Sequence, residues 1–301
     1  MDFFTFIHAV GTGEKINRDL SYDEAKEMMR QVLDQEAYAE QIAAFLLGWR
    51  LKPESSEEFR AVVDMCDEYI KKNEVPNSLE LGYPFDGKVN NPYIFPLVAK
   101  ELRSHDLNLV VTGDKLVPAK RGITLKEIAT AIDLEPNLYY FDRADFFKQM
   151  SDLSDLRMRL GLRTGINTIE KLTKVANSEY AITGVFHKPF VQKYADVFGD
   201  KYKRLAVIQG NEGTPEFFSR ARLWIVQGGE VVEHIIDPAD FGINYTRSWE
   251  RISLEESLEQ LNSPSEEFLK LAKLNAAVYL FIVERYGSVK EAYEAVVSCE
   301  W

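Results

Sequence analysis

The period of the apolar residues changes once along this chain, near residue 78, and that single change restricts the folds open to it. Before it, apolar residues recur at helical spacing. "SYDEAKEMMRQVL" opens with Ser21 and carries Glu24 three residues on, the pairing of a capping box. "ESSEEFRAVVDMCDEYIKK" repeats the device with Ser55 and Glu58 and sets Phe59, Val62, Val63 and Cys66 on one face. "AYAEQIAAFLLGWRL" reads as an apolar helix between them, and no strand signal precedes residue 78. After it, short apolar runs bounded by turn residues alternate with helical stretches: "SLELGY", "LNLVVTG", "LYYF", "YAITGVF" and "RLAVIQG". "RLWIVQGGEVVEHII" reads as a hairpin around Gly228 and Gly229. Thr124 with Glu127 caps one intervening helix. Ser253 with Glu256, Ser263 with Glu266 and Ser288 with Glu291 cap three more in a helical tail, with Pro264 in a first turn.

Strands alternating with helices behind an all-helical opening predict an α/β protein in two parts. A small helical N-terminal lobe spans 1–73, and residues 152–176, read as a basic helical stretch, are expected to join it. A larger lobe spans 78–301 and holds a mainly parallel sheet flanked by helices. Ligands of such sheets bind beyond the carboxyl ends of the strands. The turns Gly82–Lys88, Gly113–Gly122 and Gly210–Glu216 are therefore expected to share one cleft.

The opening "MDFFTFIHAV" has no basic segment, and no run of about 18 apolar residues occurs, so neither a leader nor a membrane span is expected. Cys66 and Cys299 are too few and too distant for a disulfide framework. The cytoplasm is the expected compartment. The four histidines (His8, His105, His187 and His234) show no metal spacing. The net charge of −12 argues against a polyanion as partner, but it is unevenly spread. Residues 1–150 hold 18 Lys and Arg against 26 Asp and Glu, residues 151–222 hold 12 against 8, and residues 223–301 hold 6 against 14. A basic island sits between two acidic flanks.

The first glycine turn, "GYPFDG", keeps the outline of a phosphate-cradling loop and crowds its middle with Tyr83, Pro84 and Phe85. Proline has no N–H to offer an anion. This turn, together with "LSYDEAKEMMRQVLDQEAYAEQIAAFLLGWRLKPESSEEF", "LRMRLGLRTGINTIEKL", "GVFHKPFV", "IIDPADFG" and "LNAAVYL", resembles the anthranilate phosphoribosyltransferase-like family, glycosyltransferase family 3. The resemblance covers nearly the whole chain and implies the fold described above.

The chemistry-bearing motifs depart from the family's. Its pyrophosphate loop is GTGGDG; this chain keeps Gly82, Asp86 and Gly87 and loses both central glycines. "NNPYIF" stands where N-x-S-T should supply a hydroxyl. The second loop, KHGNRSVSSKSG in the family, reads "VTGDKLVPAKRG", with Gly113, Lys120 and Gly122 retained and Lys115 in place of an arginine. In "GTPEF", Pro215 replaces one carboxylate of the metal-binding pair and only Glu216 survives. Phe146 or Phe147 replaces a histidine of the aromatic-acid site, and Arg163 matches an arginine that helps bind anthranilate. Transfer from phosphoribosyl pyrophosphate needs a metal to neutralise the leaving group and donors aimed at developing charge. Four losses in one cleft make that reaction improbable, so no catalytic residue is assigned. No cofactor is expected either, and Mg²⁺ only if the enzyme reading holds.

The resemblance is stronger to a branch of catalytically degenerate homodimeric paralogues that bind nucleic acid without sequence preference. The "RTGINTIEKL" segment resembles that branch more than the enzymes, which keep Gly-Pro where Glu170 and Lys171 stand here. A metal-free basic groove suits phosphate backbones. Its expected members are Lys115, Lys120, Arg121, Arg157, Arg163, Lys171, Lys174, His187 and Lys188, with Asn167, Lys171 and Lys174 on one helical face beside Ile166, Ile169 and Leu172. The bland alternative keeps Arg157 paired with Asp152 or Asp155 and the lysines as a solvated face. Tyr83 and Phe85 suit a core as well as a stacking platform. The expected protein is thus a non-catalytic, nucleic-acid-binding homodimer associating through its helical lobe. The alternatives are a phosphoribosyltransferase or phosphorylase for a nucleobase-like or aromatic substrate, and a small-anion sensor built on Gly113, Lys115 and Lys120.

Overall fold

A computed structural model describes residues 1–299. Four helices open the chain: α1 (Phe3–Gly11), α2 (Tyr22–Leu33), α3 (Ala39–Leu51) and α4 (Ser56–Asp67). The Ser21/Glu24 and Ser55/Glu58 boxes are both closed reciprocally, as expected from sequence alone because every partner lies within one turn. The four helices bury Phe6, Met28, Phe45, Trp49, Phe59 and Val62 against one another.

The remaining elements follow as β1 (Ser78–Gly82), α5 (Phe95–Glu101), β2 (Asn108–Gly113), α6 (Leu125–Ala131) and β3 (Leu138–Asp142). Next come α7 (Arg143–Phe146), α8 (Lys148–Asp152), α9 (Ser154–Leu160), α10 (Ile166–Ile169), β4 (Tyr180–Gly184), α11 (Pro189–Phe198) and β5 (Arg204–Ile208). The chain closes with the hairpin β6 (Ala221–Gln227) and β7 (Glu230–Ile236), then α12 (Leu254–Asn262), α13 (Glu266–Ile282) and α14 (Val289–Ser298). The seven strands form one sheet in the order β3-β2-β1-β4-β5-β6-β7. The first five run parallel and the hairpin adds two antiparallel strands at one edge.

Alternation along the strands divides the core. Val110, Ala181, Leu205 and Val207 face the side shared with α4, α11 and the helical lobe. Leu109, Val111, Ile182, Ala206 and Ile208 face α5, α6 and α13. Each valine, leucine or isoleucine among them stabilises by roughly 1.5–3 kcal/mol on full burial, so a register slip of one residue would exchange both faces at prohibitive cost. The ends of β1, β4 and β5 lie side by side, with Gly82 opposite Thr183 and Gly184 opposite Ile208.

Two expectations need correction. The helix α13 is capped by Ser265, whose hydroxyl accepts from the Phe268 N–H, so Ser263 and Glu266 form no box and Pro264 precedes the helix. Residues 152–176 are not one helix. α9 ends at Gly161 in the left-handed region, α10 lasts one turn, and Lys174 sits at φ +51°. Asn167, Lys171 and Lys174 therefore share no helical face. The segment nonetheless meets the helical lobe: a Cβ on Gly165 would fall within 2.9 Å of Trp49, Glu54 and Phe59.

Candidate anion-binding cleft

The loop after β1 turns inward. Tyr83 is 1% exposed and packs against Tyr93 and Phe95, with ring centroids 5.4 and 5.7 Å away. Burial, reinforced by the Glu216 charge, pushes its phenol well above the usual range, so the O–H stays a donor and gives a 2.7 Å bond to Glu216 Oε1. Phe85 lies under the Arg143 guanidinium at 4.0 Å. Both rings are core, and neither can stack on a ligand.

Lys88 is wholly enclosed. Its Nζ donates to the Glu216 carboxylate and to the Pro92 carbonyl, 2.8 Å away, and lies 4.2 Å from the Phe218 ring centroid. Glu216 also accepts from the Ile94 N–H at 2.8 Å. The one carboxylate left from the metal-binding pair thus already has a cation and two further donors.

Glu212 does the complementary thing. From a turn after β5 its carboxylate accepts from the consecutive backbone N–H groups of Val89, Asn90 and Asn91, at 2.6, 3.0 and 3.3 Å. Successive N–H groups in a turn make an anion seat. This one holds the protein's own carboxylate, and it lies in the segment where N-x-S-T was expected.

The first two loops are also pressed together. Lys88 and Ile123 exchange two backbone hydrogen bonds, 2.9 and 2.7 Å, and Gly122 donates to the Asp86 carbonyl at 3.1 Å. A Cβ on Gly122 would sit 2.2 Å from the Lys88 oxygen, so glycine is required there for contact between backbones and not for a ligand. Gly113 likewise serves packing, since a Cβ would strike Tyr140 and the Lys126 nitrogen. Gly82 abuts Leu172 and Thr183, and Gly87 at φ +78° abuts Gly122.

The structure brings some expected cations together and removes others. Asp86 receives Arg163 through Nε (3.0 Å) and Nη2, with Lys120 Nζ at 3.3 Å from its other oxygen. Lys120 also donates to the Glu212 carbonyl at 2.8 Å. Burial lowers its pKa, against the pull of Asp86 and Glu212. Arg163 and Lys171 line a cavity of about 670 Å³ between the two lobes, together with Arg50, Glu54, Phe186 and His187. His187, which lines it, is exposed, and so is its neighbour Lys188. Arg121 is exposed and its carbonyl accepts from Arg251.

Arg157 is a correction. It is 1% exposed and its two terminal nitrogens grip Glu170 at 2.7 Å each, next to a buried network of Arg143, Glu170 and Asp114. Neither Asp152 nor Asp155 is its partner, and it cannot meet a surface ligand. Lys174 turns back to the Lys201 carbonyl, and its own N–H joins Thr173 in holding the buried Glu80 carboxylate. Lys115 is exposed with Asp155 at 3.9 Å, whereas Lys120 is turned to Asp86 and the Glu212 carbonyl. Phe146 and Phe147 are both buried, and Phe147 lines a separate cavity of about 230 Å³.

Sequence reasoning missed the groove next to the 670 Å³ cavity. About 460 Å³ in volume, it is lined by Asn90, Phe186, Arg220, Arg247 and Trp249. Trp249 is 74% exposed with the Arg247 guanidinium 4.0 Å over its ring, and Phe186 is 45% exposed with Arg163 at 5.2 Å. The signal was present in "NYTRSWER", where aromatic and basic residues alternate in a stretch without regular structure.

The helical lobe and the mostly parallel sheet with its cleft define a two-part α/β architecture, and comparison with known proteins places that architecture in a family. Residues 5–69 match the helical bundle domain, and residues 131–299 the a/b domain, of the glycosyl transferase family. The chain belongs to glycosyl transferase family 3 and is anthranilate phosphoribosyltransferase-like. The anthranilate phosphoribosyltransferase of Caldicellulosiruptor saccharolyticus is 26% identical over 91% of this chain and 88% of its own length. An uncharacterised protein of Aquifex aeolicus is 28% identical over 91% of both. The Thermus thermophilus anthranilate phosphoribosyltransferase superposes with a TM-score of 0.77 at 19% identity, covering 98% of this chain and 93% of that one. The Saccharomyces cerevisiae enzyme in complex with PRPP and Mg gives 0.75 at 14%, covering 98% and 92%.

Magnesium with PRPP does not fit the residues present here. Glu216 is saturated by Lys88, Tyr83 and the Ile94 N–H, and the N–H seat at 89–91 holds Glu212. Among the described residues no three His, Cys, Asp or Glu side chains are grouped together. No helix among them is long and apolar enough to cross a membrane.

Proposed function

We infer that this chain is a metal-independent member of its family that binds single-stranded nucleic acid and does not transfer a phosphoribosyl group. The loss of transfer is supported by the two internal ions. Lys88 supplies a positive charge to Glu216, and Glu212 supplies a negative one to the N–H seat, so both sides of a metal–diphosphate complex are met from within. The observation that carries the binding reading is the pair of exposed rings, Trp249 and Phe186, in one groove with Arg220 and Arg247.

Stacking is worth roughly 1–3 kcal/mol per base and is indifferent to base identity. Arg220, Arg222 and Lys188 lie along the same edge. Their partners Asp237 and Glu233, at 3.7, 3.4 and 3.1 Å, are surface pairs that a phosphate can displace at little cost. The homodimer belongs to the same proposal: Phe4 on α1 and Leu47 and Leu51 on α3 are exposed apolar side chains that a second copy would cover.

Titration of labelled oligothymidylate at two salt concentrations tests the reading. Affinity should fall with salt, with a slope of roughly −2 on logarithmic axes for about three phosphates neutralised. Trp249→Ala and Arg247→Glu should each weaken binding by about tenfold or more. Absence of binding, or saturable Mg²⁺-dependent binding of PRPP by the same protein, would overturn it.

A further inference from the structure

Lys171 is a buried amine with no evident structural duty that needs its charge. It follows α10, is 6% exposed, and forms part of the wall of the 670 Å³ cavity. Its Nζ donates one hydrogen bond, to the Gly184 carbonyl at the end of β4, and lies 4.9 Å from the Tyr194 ring centroid on α11. Among the described residues no carboxylate forms an ion pair with it. An ammonium ion has three N–H groups to satisfy, and among the described residues only the Gly184 carbonyl accepts a hydrogen bond from this one. Other buried cations of this chain are treated differently: Lys88, Arg143 and Arg157 each hold a carboxylate directly. An uncharged amine, with one N–H given to Gly184 and its lone pair turned to the cavity, accounts for the arrangement better.

The surroundings agree. The charged groups that act on Lys171 are Asp86 from the loop after β1, Lys120 from the loop after β2, Arg163 before α10, and its neighbour Glu170. Glu170 is bound by Arg143 and Arg157, and Asp86 by Arg163 and Lys120, so neither carboxylate is left to hold an ammonium. Burial is the largest influence and brings the amine down to about 7. A lysine of this kind is a nucleophile near neutrality.

We propose that Lys171 is a carbonyl-reactive site that takes small anionic carbonyl compounds, of the α-keto acid class, as imines. The Nζ lone pair forms a bond to the carbonyl carbon and the carbonyl π bond breaks. The oxygen then leaves as water, carrying the two protons that were on nitrogen. No oxidant, reductant or metal is needed. The anionic group of the ligand is received by Arg163, whose Nη1 has no hydrogen-bond partner among the described residues while Nε and Nη2 hold Asp86. Phe186 and Phe190 supply apolar walls to the same cavity. This chemistry uses the interior of the cavity, whereas the nucleic-acid reading rests on the neighbouring groove, so either can stand without the other.

The test is reductive trapping of the intact native protein with glyoxylate and cyanoborohydride, followed by whole-protein and peptide mass measurement. The expected result is a single carboxymethyl group on Lys171, formed saturably, at a rate that rises with pH and levels off above about 7. Lys171→Arg should remove the adduct, and Arg163→Gln should leave the site of modification unchanged while raising the half-saturating glyoxylate concentration about tenfold. If Lys171→Arg fails to fold, the peptide map of the unaltered protein decides alone. Labelling spread over exposed lysines such as Lys115 and Lys188, with Lys171 unmodified until the protein is denatured, would overturn the proposal.

Discussion

Replacing Lys88 by methionine tests the core of the structural argument, because the side chain keeps its length and loses only its charge and donors. In the native protein Lys88 and Glu216 are both 0% exposed. Removing the ammonium leaves the carboxylate with the Tyr83 hydroxyl and the Ile94 N–H, among Phe218, Tyr93 and Phe95. Breaking one side of a buried pair in this way costs about 3–5 kcal/mol. That is a large share of the roughly 5–15 kcal/mol that holds a typical domain folded. The midpoint of thermal unfolding should fall by roughly 10 °C.

A second variant, Lys88→Met with Glu216→Gln, separates charge from packing. The neutral amide still accepts from Tyr83 and Ile94 without an unpaired charge. It should recover most of the loss and lie within about 1–2 kcal/mol of the native protein. Guanidinium chloride titrations followed by circular dichroism at constant pH would measure all four corners of the cycle, including Glu216→Gln alone. A loss below about 1 kcal/mol for Lys88→Met would refute the reasoning, since the pair would then be solvated and not buried. So would a double variant as unstable as the sum of the singles.

Glu212→Ala should vacate the N–H seat of Val89, Asn90 and Asn91. Added inorganic phosphate should then raise the unfolding midpoint of the variant and leave the native protein unchanged, as a thermal-shift assay would read. Lys171 predicts a pH effect of definite sign. Its native pKa lies below the unfolded value of 10.5, so the unfolded chain binds the extra proton and stability rises between about pH 7 and 10.5. Below that window the group is protonated in both states and its contribution is flat. At about 1.4 kcal/mol per unit, the rise attributable to this one group is a few kcal/mol. Denaturant titrations at pH 7 and 9.5 should show Lys171→Met losing it; an unchanged pH dependence would place the ammonium in a solvated or paired setting.

The parts of the fold read correctly from sequence are those whose partners are near in the chain. Ser21 with Glu24, Ser55 with Glu58 and Thr124 with Glu127 close their boxes within one turn, and Gly228–Gly229 closes its hairpin between adjacent strands. The failures were of two kinds. Over 152–176 a helical period was present, but Gly161 and Lys174, both in the left-handed region, interrupt it. At the cleft, residues were judged by type. Lysine and arginine are ordinarily surface residues, so Arg157, Lys171 and Lys174 were all counted as members of one basic groove.

Their fates depend on partners far away in the chain. Lys88 meets Glu216 across 128 positions, and Glu212 reaches the N–H groups of Val89, Asn90 and Asn91 across more than 120. The sequence by itself determined the family, the two-part architecture and the crowding of the phosphate loop by Tyr83, Pro84 and Phe85, all of which follow from local pattern and motif. Only the tertiary structure decided which charges are spent inside and which face a ligand. Solvation is the physical reason: an ion's cost or benefit depends on the water and counter-charge around it, and these exist only once distant segments have come together.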